Sequence, residues 1–395
     1  MTTFRTDAGG RRVHPDLPIT FGRLMDFPDD PIVCMRRLHE THGDIAGLHE
    51  DGQMLVFVFS PEYNQRVLSD AKTFHSRFFS IRGPRRSPHR RLTSGLLSMN
   101  GDEHRAHRRM VMSPFAKRAL PDHREPVCQL AREMLDDWQP GQVRDLHADM
   151  NQFMLRVTSA ILFGLDVPEL AFKLGEMIDH WVGLNHRLGI GVFVSDRRLT
   201  DGYDELLELA AELETDVQRM IDLKRAGGCQ GHDVLSLLIR NHDDEGVVSD
   251  EKLIGHVTLL FGAAHLTTAH SLTWTLFLLA QHPHDARQVV DEIRSVLSGD
   301  VPTDEETQAM PLLDRVIKES MRVLPASSYS QRINPEPVQL GPLFLRPGTP
   351  VVFSQFMTHH RPDLFAEPER FLPERWLNLS PSPYAYLPFG AGPRM

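Results

Sequence analysis

Polar side chains interrupt the middle of a long apolar segment, residues 250–282. The segment has no proline over roughly 30 residues, would span about 45–50 Å as a helix, and is apolar on nearly all sides, so we predict a buried helix. A membrane span is excluded because His265, Thr267 and Thr268 lie near its centre. Imidazole and hydroxyl groups exchange protons, so this centre is a candidate site. The alternative is that each hydroxyl donates to the carbonyl four residues earlier and each histidine is an ordinary core residue.

A carboxylate and a guanidinium stand three residues apart in the stretch ESMR. Glu319 and Arg322 would therefore share one face of a helix over 312–325. Apolar neighbours predict that this face is partly buried, where an arginine needs an acceptor and a carboxylate needs donors. Arg370 or Arg375 is predicted to complete the network through a second contact to Glu319. A surface ion pair of the same spacing is the alternative.

The sequence closes on YLPFGAGPRM, residues 386–395. Ordering a turn this rich in glycine costs conformational entropy, because glycine has the most freedom to lose. We therefore expect this turn to hold a ligand.

Composition and charge describe an ordinary globular protein of 395 residues, with 41% hydrophobic and 24% charged residues. The formal net charge of −10 argues against a bulk nucleic-acid binder. Cys34, Cys128 and Cys229 are far apart and lack metal-binding spacing, so free thiols in a reducing cytosol are expected. The first residues contain no apolar run, so neither a secretion signal nor a membrane anchor is expected.

The periodicity of apolar residues predicts a mainly α protein with small β-sheets. A strand is predicted at 52–62 and a small sheet after residue 325. No linker divides the sequence, so we predict a single domain over 1–395. The predicted helices are 29–43, 124–138, 204–228, 250–282, 284–299 and 312–325.

Four motifs, taken in order, resemble those of the cytochrome P450 family. They are HRAHRR (104–109), AAHLTT (263–268), ESMR (319–322), and PERFLPERW paired with FGAGPRM near the end. The resemblance covers the sequence from about residue 20 onward. It implies the cytochrome P450 fold, with a long central I helix, the ExxR of helix K, a meander and a haem-binding loop. It also implies a haem-thiolate mono-oxygenase that carries haem b, iron protoporphyrin IX.

The resemblance also assigns roles to individual residues. Thr267 and Thr268 match the catalytic alcohol of the long helix, in either of two registers. Glu319, Arg322 and Arg375 match a structural triad. The residues that match the cofactor-binding positions are His104, Arg108, Arg332, Phe389, Gly390 and Arg394.

In the family, the cysteine that binds the haem iron would stand directly after Met395. We therefore expect this cysteine and the helix after it to lie beyond the residues given. None of the 395 residues is predicted to bind a metal. The alternative is a cysteine-less, P450-like helper subunit of another enzyme.

One position departs from the family pattern. Leu266 stands where the family usually has an acid, and Ala264 where it usually has glycine. Leucine cannot relay a proton. Proton delivery would then use water, His265 or the substrate, or the enzyme would be driven by peroxide or perform radical coupling.

The substrate is expected to be a small apolar or amphipathic organic molecule. The predicted pocket residues are Ala263, Leu266, Leu96 and Leu97. The last two lie in a loop over 77–98 that also contains Phe78, Phe79 and basic residues at 82, 85, 86, 90 and 91. A mobile lid is predicted over 180–196, with freedom supplied by Gly189 and Gly191.

The resemblance implies a separate electron donor, either a ferredoxin with its reductase or a flavoprotein. It further leads us to expect a cytoplasmic monomer without membrane or nucleic-acid partners.

Overall fold

The structure is a computed structural model that describes residues 5–7, 9–77, 81, 83–115, 121–190, 202–245 and 249–395. The described residues form two compact units, one within 5–77 and 315–395 and the other within 81–314. The prediction of one domain stays a prediction. Phe78, Phe79, residue 82 and Gly191 lie outside the described residues.

Helices dominate the described chain, as predicted. The α-helices are α1 (Asp26–Asp29), α2 (Pro31–His42), α3 (Pro61–Ser69), α4 (Pro88–Leu92), α5 (Gly101–Val111), α6 (Pro121–Asp136), α7 (Leu146–Phe163), α8 (Pro168–Ile190), α9 (Tyr203–Ala226), α10 (Val234–Glu245), α11 (Asp250–Gln281), α12 (Pro283–Val296), α13 (Asp304–Gln308), α14 (Pro311–Val323) and α15 (Gln355–His359). Short 3-10 helices lie at Leu96–Ser98, Ser113–Phe115, Pro373–Leu377 and Gly392–Arg394. None of the described helices is both long enough and apolar enough to cross a bilayer.

The strands all belong to the first unit. They are β1 (Arg5–Thr6), β2 (Arg12–Val13), β3 (Ile19–Phe21), β4 (Ile45–Glu50), β5 (Gln53–Val58), β6 (Ser330–Ile333), β7 (Val338–Leu340), β8 (Leu343–Leu345) and β9 (Pro350–Phe353). One sheet has the order β1-β2-β3-β4-β5-β9-β6, and β7 pairs with β8 in a second sheet. β9 is parallel to β5, with Val351 opposite Val56, and antiparallel to β6, with Val351 opposite Arg332. This register places Arg332 on the edge strand β6, beside β9, whose buried residues Val351, Val352 and Phe353 are β-branched or aromatic.

The second unit is built around α11. Its N-terminal half is buried on all sides, from Leu253 to Leu259, and α7 and α8 pack against it. The Phe163 and Phe261 rings stack with centroids 5.9 Å apart. The predicted helix over 250–282 is therefore confirmed, as is the mainly α fold class with small sheets. The helix's predicted burial holds for the N-terminal half but not for the C-terminal half, where Trp274, Leu276 and Phe277 are exposed.

The predicted lid over 180–196 is wrong for its first part. Residues 180–190 belong to α8, which begins at Pro168. Trp181 in this part is fully buried and Leu184 nearly so, because both pack into the apolar core of the second unit. The glycines and polar residues that suggest a loop are thus outweighed by apolar side chains at helical spacing.

Candidate functional site

α11 is open to solvent along one face at its centre. Ala264, Thr267 and Thr268 are exposed, and their spacing of three and four residues puts them on one side of the helix. The Thr267 hydroxyl donates to the carbonyl of Ala263, 2.7 Å away. The local alternative raised for these hydroxyls therefore holds for Thr267. Thr268 makes no side-chain hydrogen bond to any described residue. Both hydroxyl oxygens can still accept hydrogen bonds from a ligand or water on this face.

The two residues before Thr267 face other parts of the second unit. His265 is 2% exposed, and its Nε2 lies 3.4 Å from Oδ1 of the half-exposed Asp179 on α8. Its Nδ1 is buried without a partner among the described residues. Leu266 is half-buried and packs against the apolar core. The open face of α11 therefore carries hydroxyls and alanines but no acid between residues 263 and 268.

The predicted pocket residues Leu96 and Leu97 lie on the 3-10 helix that follows α4. Leu96 is buried, and Leu97 is half-buried against the same core. The Leu96 amide donates to Nδ1 of His256 on α11, 3.0 Å away. Sequence reasoning missed His256, and its partner lies 160 residues away along the chain. The one signal was a histidine in the apolar half of a predicted buried helix.

α5 presents two of the predicted cofactor-binding residues. His104 is buried and Arg108 half-buried, and their spacing of four residues places them on one side of the helix. Asp102 and Glu103 lie in the first turn of α5, and Arg108 and Arg109 lie in the last. This distribution complements the helix dipole and stabilises the helix that carries the pair.

The first unit places two predicted cofactor-binding arginines near each other. Arg332 on β6 is half-buried, and its guanidinium lies over the Phe353 ring, 5.3 Å from its centroid. Burial and the positive charge of Arg394 lower the pKa of Arg332 to about 10. Two guanidinium groups that repel each other in a partly apolar setting are suited to an anionic ligand, such as a carboxylate.

The glycine-rich loop before Arg394 is tied to the first unit at both ends. The Leu387 amide donates to Nε2 of the fully buried His359, 2.8 Å away. Gly392 has φ +77°, and a Cβ there would lie 2.3 Å from the carbonyl oxygen of Leu68 at the end of α3. The loop thus rests directly on the backbone of α3, which only glycine permits. Sequence reasoning also missed His359, which stands in an unremarkable stretch after β9.

The tip of the loop projects away from these anchors. Gly390 has φ +72°, and a Cβ on it would meet no atom within 4 Å. Phe389 is 74% exposed, although it is an aromatic side chain in an otherwise ordered loop. An exposed apolar ring beside an open glycine is a surface suited to a flat apolar ligand.

The predicted triad residues contact one another in the core of the first unit. Glu319 accepts from Arg322 Nε and Nη2 at 2.9 and 2.8 Å and from Arg375 Nε at 2.9 Å. The Trp376 indole and the Leu372 amide also donate to it, at 3.0 and 2.9 Å.

Two of the three side chains, those of Glu319 and Arg322, have no exposed area, so the alternative of a surface ion pair does not hold. Arg370 instead pairs with Glu367 in an exposed position. Arg322 donates to the carbonyls of His359, Pro368 and Arg370, which fixes the stretch before Arg375.

The three cysteines lie apart from these residues. Burial raises the pKa of the Cys34 thiol to about 11, so this thiol stays protonated. Cys229 is also buried, and Cys128 is partly exposed. No group of three or more metal-binding side chains occurs among the described residues.

The residues of the first unit fit a haem. Its propionates need cationic donors, which Arg332 and Arg394 provide, and its ring needs apolar surface, which Phe389 offers. In the second unit, Arg108 is a further cationic side chain, and the open face of α11 carries hydroxyl groups.

Comparison with known proteins gives the family. The sequence model of the cytochrome P450 family matches residues 14–395. Two similar proteins come from Streptomyces melanosporofaciens. Cyclooctat-9-en-7-ol 5-monooxygenase is 29% identical over 89% of this chain and 77% of its own length. Cyclooctatin synthase is 30% identical over 90% of this chain and 78% of its own.

A solved structure supports the same fold. The cyanobacterial CYP120A1 with bound retinoic acid superposes with a TM-score of 0.78 at 21% identity, covering 99% of this chain and 87% of that one. The chain therefore belongs to the cytochrome P450 family and is a haem-dependent oxidoreductase of the mono-oxygenase type.

Proposed function

We propose that this protein binds haem b and inserts oxygen from O2 into an apolar or amphipathic, alicyclic substrate. The observation that carries the proposal is the open threonine face in the middle of α11. The N-terminal half of this helix is buried in an apolar core, so a solvent-open pair of hydroxyls at its middle has no evident structural purpose.

The cofactor would be held by charge and by apolar contact. In the first unit, Arg332 and Arg394 would donate to the propionates, and Phe389 would pack against the ring. For His104 and Arg108 in the second unit, the propionate-binding role is the one that the family resemblance implies. Burial and, second to it, the charge of Arg394 lower the pKa of Arg332, and an anion bound beside this guanidinium would oppose both effects. When bound, the haem supplies an iron that activates dioxygen for transfer of one oxygen atom.

The threonines would order the water and oxygen on the open face. Thr267 already donates its hydroxyl proton to Ala263, so its oxygen serves as an acceptor. Thr268 has its hydroxyl proton free for a ligand. Water held by these two groups is the proposed proton source, since His265 turns toward Asp179 and away from the open face.

The proposed substrate follows from the lining and from the relatives. The four side chains predicted to line the pocket, those of Leu96, Leu97, Ala263 and Leu266, are all apolar, which favours a hydrocarbon skeleton with few polar groups. The relative cyclooctat-9-en-7-ol 5-monooxygenase is named for a cyclic alcohol of this character. The proposed electron donor is a separate ferredoxin with its reductase, or a flavoprotein, and the proposed state is a cytoplasmic monomer.

The test begins with the spectrum of the full-length protein, reduced under carbon monoxide. We expect the red-shifted Soret band of thiolate-ligated haem. Cyclooctat-9-en-7-ol and other alicyclic alcohols are then titrated, and a saturable blue shift of the Soret band reports displacement of water from iron. Haem with no shift for any alicyclic compound would reject the substrate class. Absence of haem would reject the proposal itself.

A second candidate function is favoured by Leu266. No acid lies on the open face between residues 263 and 268. Hydrogen peroxide already carries the protons that O2 must receive during reduction, so a peroxide-driven reaction would not need an acid there to deliver them. Turnover with hydrogen peroxide alone, at a rate equal to that with O2 and a redox partner, would favour this candidate. A rate at least about tenfold lower with peroxide would favour the mono-oxygenase.

A further inference from the structure

The segment that carries the pocket leucines is fastened to α11 by backbone contact. A Cβ on Gly95 would lie 2.1 Å from the carbonyl oxygen of Gly255, and a Cβ on Gly255 would lie 2.8 Å from the carbonyl oxygen of Arg91. Neither position admits a side chain without displacing backbone. The turn over 94–97 therefore sits directly on the helix, with no side chains between them.

His256, the next residue on α11, joins this contact through two hydrogen bonds, one to the Leu96 amide and one to His107. We call this pair of hydrogen bonds the latch. Because its Nδ1 accepts from the Leu96 amide, its own proton must be on Nε2. That nitrogen lies 2.9 Å from Nδ1 of His107 on α5, so His256 donates to His107. The chain of hydrogen bonds runs from the Leu96 amide through His256 to the helix that carries Arg108.

The latch lies on the same side of α11 as the proposed oxygen site. Ala263 follows His256 by seven residues, close to two full turns or about 10.5 Å along the axis. This side of the helix is covered by the turn at His256, half-covered at Ala263 and open at Thr267. On this side of α11 the covering therefore decreases from His256 toward the threonines.

We propose that His256 is a positioning residue that sets substrate selectivity by holding Leu96 and Leu97 over the N-terminal end of the open face. The inference rests on the proposed function, because it assigns these leucines to the substrate pocket. It adds a residue that touches neither the substrate nor the cofactor. The buried imidazole acts through the main chain of the turn.

The latch does not depend on pH in the ordinary range. Burial, together with His107 and Lys252 nearby, lowers the pKa of His256 to about 3. Burial and Lys252 also lower the pKa of His107, against the opposing effect of Glu103, which pairs with Lys252 at 2.8 Å. Both rings stay neutral at neutral pH, so the acceptor for the Leu96 amide is retained.

Two substitutions test the hydrogen bonds of the two ring nitrogens one at a time. In His256→Asn, the side-chain oxygen occupies the place of Nδ1 and keeps the acceptor for Leu96. In His256→Gln, the terminal amide reaches the place of Nε2, keeps the contact to His107 and loses that acceptor. Hydrogen exchange of the Leu96 amide in the holoenzyme reads the latch directly. We expect protection to fall about tenfold or more in His256→Gln and to change little in His256→Asn.

Selectivity is read with two haem-iron ligands of different size, imidazole and 4-phenylimidazole, from their Soret shifts. We expect the ratio of their Kd values to change at least about fivefold in His256→Gln, with imidazole itself unaffected, and to stay near the wild-type ratio in His256→Asn. Failure of imidazole to shift the spectrum of the wild-type protein would reject the proposed function. An unprotected Leu96 amide in the wild type, or an unchanged ratio after protection is lost, would reject the positioning role alone.

Discussion

The buried carboxylate of Glu319 offers the sharpest test of how the first unit is held together. Glu319→Gln keeps the shape of the side chain and removes its charge. If the amide oxygen replaces Oε1, it still accepts from Arg322 Nη2, Arg375 and Leu372. The amide nitrogen then faces two donors, Arg322 Nε and the Trp376 indole, and both lose their acceptor. Two guanidinium groups are also left without a counter-charge. We expect a loss of about 3–5 kcal/mol in the free energy of unfolding.

The molecule supplies a matched control for this change. Glu367 and Arg370 form an ion pair with the same spacing of three residues, at 2.6 Å, but both side chains are about three-fifths exposed. Glu367→Gln should leave stability unchanged within the error of the measurement, because solvent screens the pair.

Urea unfolding followed by tryptophan fluorescence measures both variants, and Trp376 reports from within the network. If Glu319→Gln is as stable as Glu367→Gln, the buried network contributes no net stability and the reasoning fails.

Three further predictions concern the haem and oxygen residues. Arg332→Met should stabilise the apoprotein, because a guanidinium whose pKa is lowered to about 10 opposes folding at all pH values below that. The same variant should transfer its haem to apomyoglobin faster, because a donor to the propionates is lost. The opposite sign in either measurement would contradict the account. Thr267→Val should raise the ratio of hydrogen peroxide released to product formed by about tenfold, whereas Thr267→Ser should keep this ratio near that of the wild type. Equal ratios in the two variants would mean that the hydroxyl has no part in the mechanism. Gly392→Ala should lower the urea midpoint more than Gly390→Ala, because only at Gly392 would the Cβ collide with Leu68. Equal losses would mean that positive φ alone, worth about 1–2 kcal/mol, accounts for both.

The longer helices could be read from the sequence because their apolar spacing is continuous. The segment 250–282 was predicted as one helix, and α11 runs from Asp250 to Gln281. The helix predicted over 204–228 agrees with α9, which runs from Tyr203 to Ala226. In both cases a run without proline and a polar or glycine stop define the ends. Propensity and pattern point the same way there, so tertiary contacts have little to override.

The contacts between distant segments could not be read in this way. Gly95 and Gly255 look like ordinary loop and helix glycines. Gly95 is explained by the backbone of α11 at Gly255, and Gly255 by the backbone of Arg91 and Gly95. His256 and His359 accept hydrogen bonds from the amides of Leu96 and Leu387, which carry no side-chain signal. A main-chain donor can belong to any residue type, so composition does not reveal it.

The hydroxyl groups of α11 differ in a way that bears on the two registers predicted for the catalytic threonine. Its described hydroxyls at Thr258, Thr267, Ser271, Thr273 and Thr275 all donate to the carbonyl four residues earlier, at 2.7–2.9 Å. These groups keep lone pairs to offer but have no proton to give. Thr268 breaks the series, because it is exposed on the open face and its hydroxyl proton has no acceptor among the described residues.

The two neighbours are therefore not interchangeable. Thr267 can receive a hydrogen bond, and Thr268 can donate one, at positions 100° apart around the same turn of helix. A water that bridges the two hydroxyls would be oriented from both sides. With leucine at position 266, these two hydroxyls are the groups on the open face that can order such a water.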